Sequence, residues 1–173
     1  ALQEWQNPDT AKETVKQVPA RVLFTQAGLD WLRDGWIGAE LGRLRGADAV
    51  RLVSEDQPDF QLRFGVLIES FEATEVDNPE RKRGTEYKQH DGSLTHDPYE
   101  DWEWRANALP RWLHSACRKK ADKSYAPGTH LAVYLNVLTY GRWRPEIEAA
   151  MVRSTAVAKE KFVSVWVLWE GHA

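Results

Sequence analysis

Two carboxylates, Asp59 and Glu72, flank the segment Phe60 to Phe71, and the residues between them carry the pattern of a hairpin. Phe64-Gly65-Val66-Leu67 reads as a two-residue turn, because glycine at the first central position is what a type II′ turn requires. Pairing Phe64 with Leu67 sets the register: Phe60 faces Phe71, Gln61 faces Ser70, Leu62 faces Glu69, and Asp59 faces Glu72. Directly opposed Cβ atoms lie ~4.5–5.5 Å apart. Carboxylates at that spacing repel, and one pKa rises. A divalent cation removes the conflict. Mg²⁺ (or Mn²⁺) takes oxygen ligands, polarises a phosphodiester and lowers the pKa of a bound water. The competing reading is an ordinary solvated sheet face, and a one-residue slip would send the two acids to opposite faces.

Other residues with chemical potential are weaker. His90-Asp91 and His96-Asp97 lie in a polar, glycine-containing stretch and read as solvated loop rather than as transition-metal ligands. His114 and Cys117 are three apart on a helix, a spacing that fits packing, since no second His/Cys pair stands at metal distance. Two basic clusters, Arg81-Lys82-Arg83 and Arg118-Lys119-Lys120 with Lys123, suit phosphate contacts or a solvated surface. Trp102, Trp104 and Trp112, and Trp143 between Arg142 and Arg144, suit base stacking or core packing. Glycine-rich phosphate loops are absent.

The elements that must position the two acids are legible from hydrophobic periodicity. Residues 1–19 are polar and contain Pro8 and Pro19, and residues 1–24 read as an N-terminal arm; residues 25–173 read as a single α/β domain. A helix is predicted from about Thr25 to Arg45, stopped by Gly46. Its Gly35 and Gly38 weaken it or allow close packing. Strands are predicted at Ala49–Ser54, Asp59–Phe64 and Leu67–Val76. A helix over about Asp101–Lys123 contains Pro110, and a strand follows at His130–Leu138. Pro145–Lys159 reads as helix with proline in its first turn. Lys161–Trp169 reads as a central strand, apolar on both faces. The order is α-β-β-β-α-β-α-β. The first three strands should form an antiparallel meander, and the later ones should arrive by parallel crossovers.

Motif and order together resemble the PD-(D/E)xK, or restriction-endonuclease-like, nuclease superfamily, in an uncharacterised bacterial branch. The resemblance rests on Pro58-Asp59, then twelve residues, then Glu72-Ala73-Thr74, and on the element order over roughly residues 25–169. It implies a restriction-endonuclease-like core, a mixed β-sheet flanked by helices. It also implies a metal-dependent nuclease that hydrolyses phosphodiester bonds of DNA or RNA. Asp59 and Glu72 would hold the metal, assisted by an acid on the first helix, for which Glu40 is best placed. The lysine of the pattern is replaced by Thr74. Lys88 or Gln89 would then orient the water or stabilise developing charge, with Arg83 a weaker candidate. Arg81, Lys82, Arg83, Lys119 and Lys120 would contact nucleic acid. The alternative is a relative that lost catalysis and serves as a nucleic-acid-binding or protein-interaction module.

Composition bounds these readings. The 173 residues are 42% hydrophobic and 28% charged, the balance of a globular domain. No apolar run spans a bilayer, and the polar N-terminus lacks a secretory h-region. A single cysteine rules out an internal disulfide framework. These features give an expectation of a cytoplasmic protein without membrane contact. The net charge of −3 demands that any nucleic-acid contact use local basic patches. A homodimer is a further expected partner state. Nine tryptophans suit either a core or a binding surface.

Overall fold

A computed structural model describes residues 2–19, 22, 26, 28–79, 100–137, 139, 141 and 143–173. These hold four α-helices, a short 3-10 helix and five strands: α1 (Pro8–Lys16), α2 (Asp30–Arg45), β1 (Ala49–Leu52), β2 (Phe60–Phe64), β3 (Leu67–Val76), α3 (Glu100–Ala121), β4 (Thr129–Leu135), α4 (Arg144–Ser154), the 3-10 turn Ala156–Glu160, and β5 (Val165–Trp169). The strands belong to one mixed sheet in the order β1-β2-β3-β4-β5. β1–β2 and β2–β3 are antiparallel, and β4–β5 is parallel. The expected order of elements is present, with α1 added before it. No helix among the described residues is long and apolar enough to cross a membrane.

The described residues fall into two compact units, those up to Ala73 and those from Thr74 onward. In the first, the expected irregular arm is in part a helix. Asn7 caps α1 by accepting the Asp9 N–H at 2.9 Å, and Pro8 occupies the first helical turn, where its missing N–H costs nothing. Proline here starts a helix instead of breaking one. Pro8, Ala11 and Val15 are buried. Before α1 the chain runs along β1: Gln6 and Val50 exchange backbone hydrogen bonds of 3.0 and 2.8 Å, and Leu52 N–H reaches Leu2 carbonyl at 2.8 Å. These bonds satisfy backbone groups that an open strand edge would leave exposed.

α2 lies close on the sheet because its contact face is made of glycine. A Cβ at Gly38 would stand 2.9 Å from the Phe60 ring, and one at Gly42 would stand 3.1 Å from Leu62. The helix stops at Gly46, whose φ of +69° a side chain would resist. Beneath α2, Phe60 and Phe71 stack in parallel with ring centroids 5.0 Å apart. Val50, Leu52, Leu62, Ile37 and Leu41 are buried with them.

In the second unit, Leu109, Leu113 and Cys117 of α3 join Leu131, Val133 and Leu135 of β4, with Ile147 and Met151 of α4. β5 stands at the end of the strand order and not at its centre. Its apolar run has another cause. Val165, Val167 and Trp169 pack against this core, while Leu168 is buried on the opposite face.

Candidate functional site: the end of the β2–β3 hairpin

The hairpin has the expected register. Phe64 pairs with Leu67, Leu62 with Glu69, Gln61 with Ser70 and Phe60 with Phe71. Gly65 has φ +59°, and Val66 is not among the positive-φ residues, the combination of a type II′ turn. Asp48 accepts the Gly65 N–H at 2.5 Å and fixes the tip. Glu69, the one charge on the apolar face, is neutralised by Arg45 at the end of α2. The Arg45 guanidinium also lies 4.8 Å from the Phe64 ring centroid.

The ladder ends at Phe60–Phe71, and Asp59 departs from it. In a regular strand the N–H and C=O of one residue point to the same neighbour. Asp59 points them apart: its carbonyl accepts from Val53 N–H at 3.1 Å, and its N–H donates to Phe71 carbonyl at 2.9 Å. Its carboxylate Oδ2 accepts the Ala73 N–H at 2.6 Å. Asp59 therefore brackets Glu72, bonded to the residue before it and the residue after it. The strict Asp59–Glu72 ladder pair is replaced by this bracket, a local irregularity of the kind that re-aims side chains at strand ends. Glu72 itself is 3% exposed, and Asp59 is half-buried.

Glu40 occupies a different setting. It is 5% exposed on α2, accepts from Lys12 Nζ of α1 at 2.5 Å and from Arg43 Nη2 at 2.7 Å. Burial pushes its carboxyl upward, but the hydrogen bonds and charges of Arg43 and Lys12 outweigh this and leave the pKa below 4.5. Glu40 thus ties α1 to α2. Among the described residues no three His, Cys, Asp or Glu side chains gather at one point.

Lys88, Gln89, Arg81, Lys82 and Arg83 lie outside the described residues, as do His90, Asp91, His96 and Asp97. Lys119 and Lys120 line a groove of about 650 Å³ in the second unit that also carries Glu75, Asp77 and Asp122, so its charge is mixed. His114 is exposed while Cys117 is fully buried, and burial pushes the Cys117 thiol up to about 12. Trp104 and Trp112 pack edge to face at 5.4 Å. Arg144 is committed to Glu170 at 3.0 Å and to the Trp169 ring.

Sequence spacing did not single out one further group. Trp5, Arg51, Arg63, Gln61 and Ser70 share the first unit, and the Arg51 and Arg63 guanidinium carbons lie 4.7 and 5.1 Å from the Trp5 ring centroid. Its signal is the alternation of Arg51 with Val50 and Leu52, and of Gln61 and Arg63 with Phe60, Leu62 and Phe64, which marks a polar sheet face.

Comparison of the chain with protein-family models, with curated proteins and with solved structures yields no match.

Proposed function

We propose that the protein is a metal-dependent nuclease of the restriction-endonuclease-like class, with Asp59 and Glu72 as the metal-holding pair. The observation that carries this reading is the bracket of Asp59 around Glu72. Two hard oxygen donors are brought to one corner of the sheet, one of them deeply buried, and this is a donor set that suits Mg²⁺ or Mn²⁺. The element order, antiparallel β1–β2–β3 followed by α3, β4, α4 and β5, is compatible with that class. When bound, the cation supplies the charge that activates water and polarises the phosphodiester.

The chain's own residues have separate tasks in this reading. Ala73 N–H orients the Asp59 carboxylate by donating to Oδ2, and Asp59 would be one ligand of the cation. Glu72 contributes the second carboxylate. Thr74 lacks the positive charge of the usual lysine, and Lys88 or Gln89 orients the attacking water in its place. Arg81, Lys82 and Arg83 hold neighbouring phosphates. Glu40 holds α1 to α2 and reaches the cation only if its ion pairs open.

The test is cleavage of labelled single- and double-stranded DNA and RNA with Mg²⁺ or Mn²⁺. Wild type is expected to cut, and Asp59→Asn and Glu72→Gln are expected to fall to the metal-free level. Equal cutting by all three would remove these acids from the mechanism. A second reading, a nuclease-fold binding module without catalysis, is favoured by Thr74 and by the structural bond from Ala73 to Asp59. It predicts nucleic-acid binding with no cleavage under any metal.

A further inference from the structure

The polar face of β1–β2–β3 has an unusual charge arrangement. Arg51 and Arg63 both lie over the Trp5 indole, and among the described residues neither guanidinium is paired with a carboxylate. Arg51 spends Nε and Nη2 on the Gln61 side-chain oxygen, at 2.9 and 2.8 Å, and keeps Nη1. Gln61 in turn donates to Ser70 Oγ at 3.0 Å, so a hydrogen-bonded row crosses the three strands. Trp5, Arg51, Gln61, Arg63 and Ser70 are all half-buried, and Ile68 beside Arg63 is 48% exposed. Guanidinium stacking on an aromatic ring uses its plane and leaves the in-plane N–H donors for an anion.

We propose that this face is a binding platform for single-stranded nucleic acid, with phosphates on Arg51 and Arg63 and an unpaired base against Trp5. Three features select that occupant. Two guanidiniums close to one ring, neither paired with a carboxylate among the described residues, call for a polyanion. The ring itself offers stacking, which every unpaired base satisfies and a duplex does not. Glu72 is the next residue after Ser70 on this face of β3, about 7 Å further along the strand. A strand held on the platform therefore runs toward the carboxylate corner. The choice of nucleic acid rests on the nuclease reading; the platform itself does not require cleavage.

The experiment measures fluorescence anisotropy of a labelled oligothymidylate in EDTA, over a salt series, with the full chain. Wild type should bind the single strand better than the matching duplex. Arg51→Gln with Arg63→Gln should weaken binding at least tenfold. It should also reduce the slope of log affinity against log salt by about 1.4, at ~0.7 per phosphate contact. Trp5→Leu should weaken binding by about tenfold with the slope unchanged, because stacking carries no counterion release. Arg51→Lys, which keeps charge and loses the stacked plane, should retain most of the slope. Asp59→Asn should bind like wild type in EDTA; binding by wild type with no cleavage under Mg²⁺ or Mn²⁺ overturns the nuclease reading and leaves the platform standing. Unchanged affinity and slope in the double arginine variant, or in either single variant should the double one not fold, would overturn the platform. Equal binding of polyglutamate would also overturn it, by showing a general anion surface.

Discussion

Glu40 and Glu72 are buried almost equally, at 5% and 3% exposure, yet their surroundings differ in kind. Glu40 sits between two cations supplied by α1 and α2, and its depressed pKa shows that these outweigh the burial. Glu72 lies on β3 between Phe71 and Ala73, whose carbonyl and N–H are bonded by the N–H and the carboxylate of a second acid, Asp59. One corner compensates a buried negative charge with positive charge, as a structural joint does. The other sets a second acid beside the buried one, the pair on which the proposed metal site rests. The contrast teaches that burial of an acid by itself says little about its role; the sign of what is brought to it says more.

The first way to sharpen this contrast is to delete the joint. Glu40→Ala strands Lys12 and Arg43 and should cost about 2–3 kcal/mol in urea unfolding, below the full value for a buried pair because both cations keep solvent access. A loss under 0.5 kcal/mol, the scatter of an ordinary surface substitution, would mean that Glu40 is no joint. Close behind is Gly38→Ala, which pushes a Cβ to 2.9 Å from the Phe60 ring. Overpacking of this type costs about 1–3 kcal/mol, read by the same method. It would displace Phe60, the neighbour of Asp59, and should lower metal binding as well.

Asp59→Asn separates structure from function at the other corner. The asparagine side-chain oxygen still accepts the Ala73 N–H, so metal-free stability should change by less than about 1 kcal/mol. Added Mg²⁺ should raise the melting temperature of wild type and of Glu40→Gln but not that of Asp59→Asn, since only a ligand bound to the folded state stabilises it. An equal rise in all three would place the metal elsewhere.

The pH dependence of the joint follows from the direction of its shift. A depressed folded-state pKa gives stability that is complete above the unfolded value, 4.5, and is lost as pH falls through the lower folded value. The stability gap between wild type and Glu40→Gln should be flat above about pH 6 and should close in acid below 4.5. The smallest effect is expected at Cys117, fully buried with its thiol pushed up to about 12. It should resist thiol reagents at neutral pH until the chain is unfolded.

The hairpin was legible because alternation and Gly65-Val66 point to the same register, so each residue reinforces the next. Its last step was not legible. Whether Asp59 stays in the ladder depends on how the chain departs at Pro58, and alternation carries no information on that. The ion pair between Glu40 and Lys12 was hidden for a related reason. Lys12 belongs to α1, where Asn7-Pro8 starts a helix that a polar composition conceals. β5 looked central because both faces are apolar, yet one residue, Leu168, and a well-packed opposite face suffice to make an edge strand look that way. The Trp5 platform needs a contact between distant segments, which no local pattern reports.

The claim that decides this account is that Asp59 and Glu72 together hold a divalent cation. Isothermal titration of Mn²⁺ into wild type, Asp59→Asn and Glu72→Gln tests it directly, with circular dichroism to confirm that each is folded. One saturable site is expected in wild type and is expected to be lost in both variants. The same isotherm in all three folded proteins, or none in wild type at millimolar Mn²⁺, would contradict it.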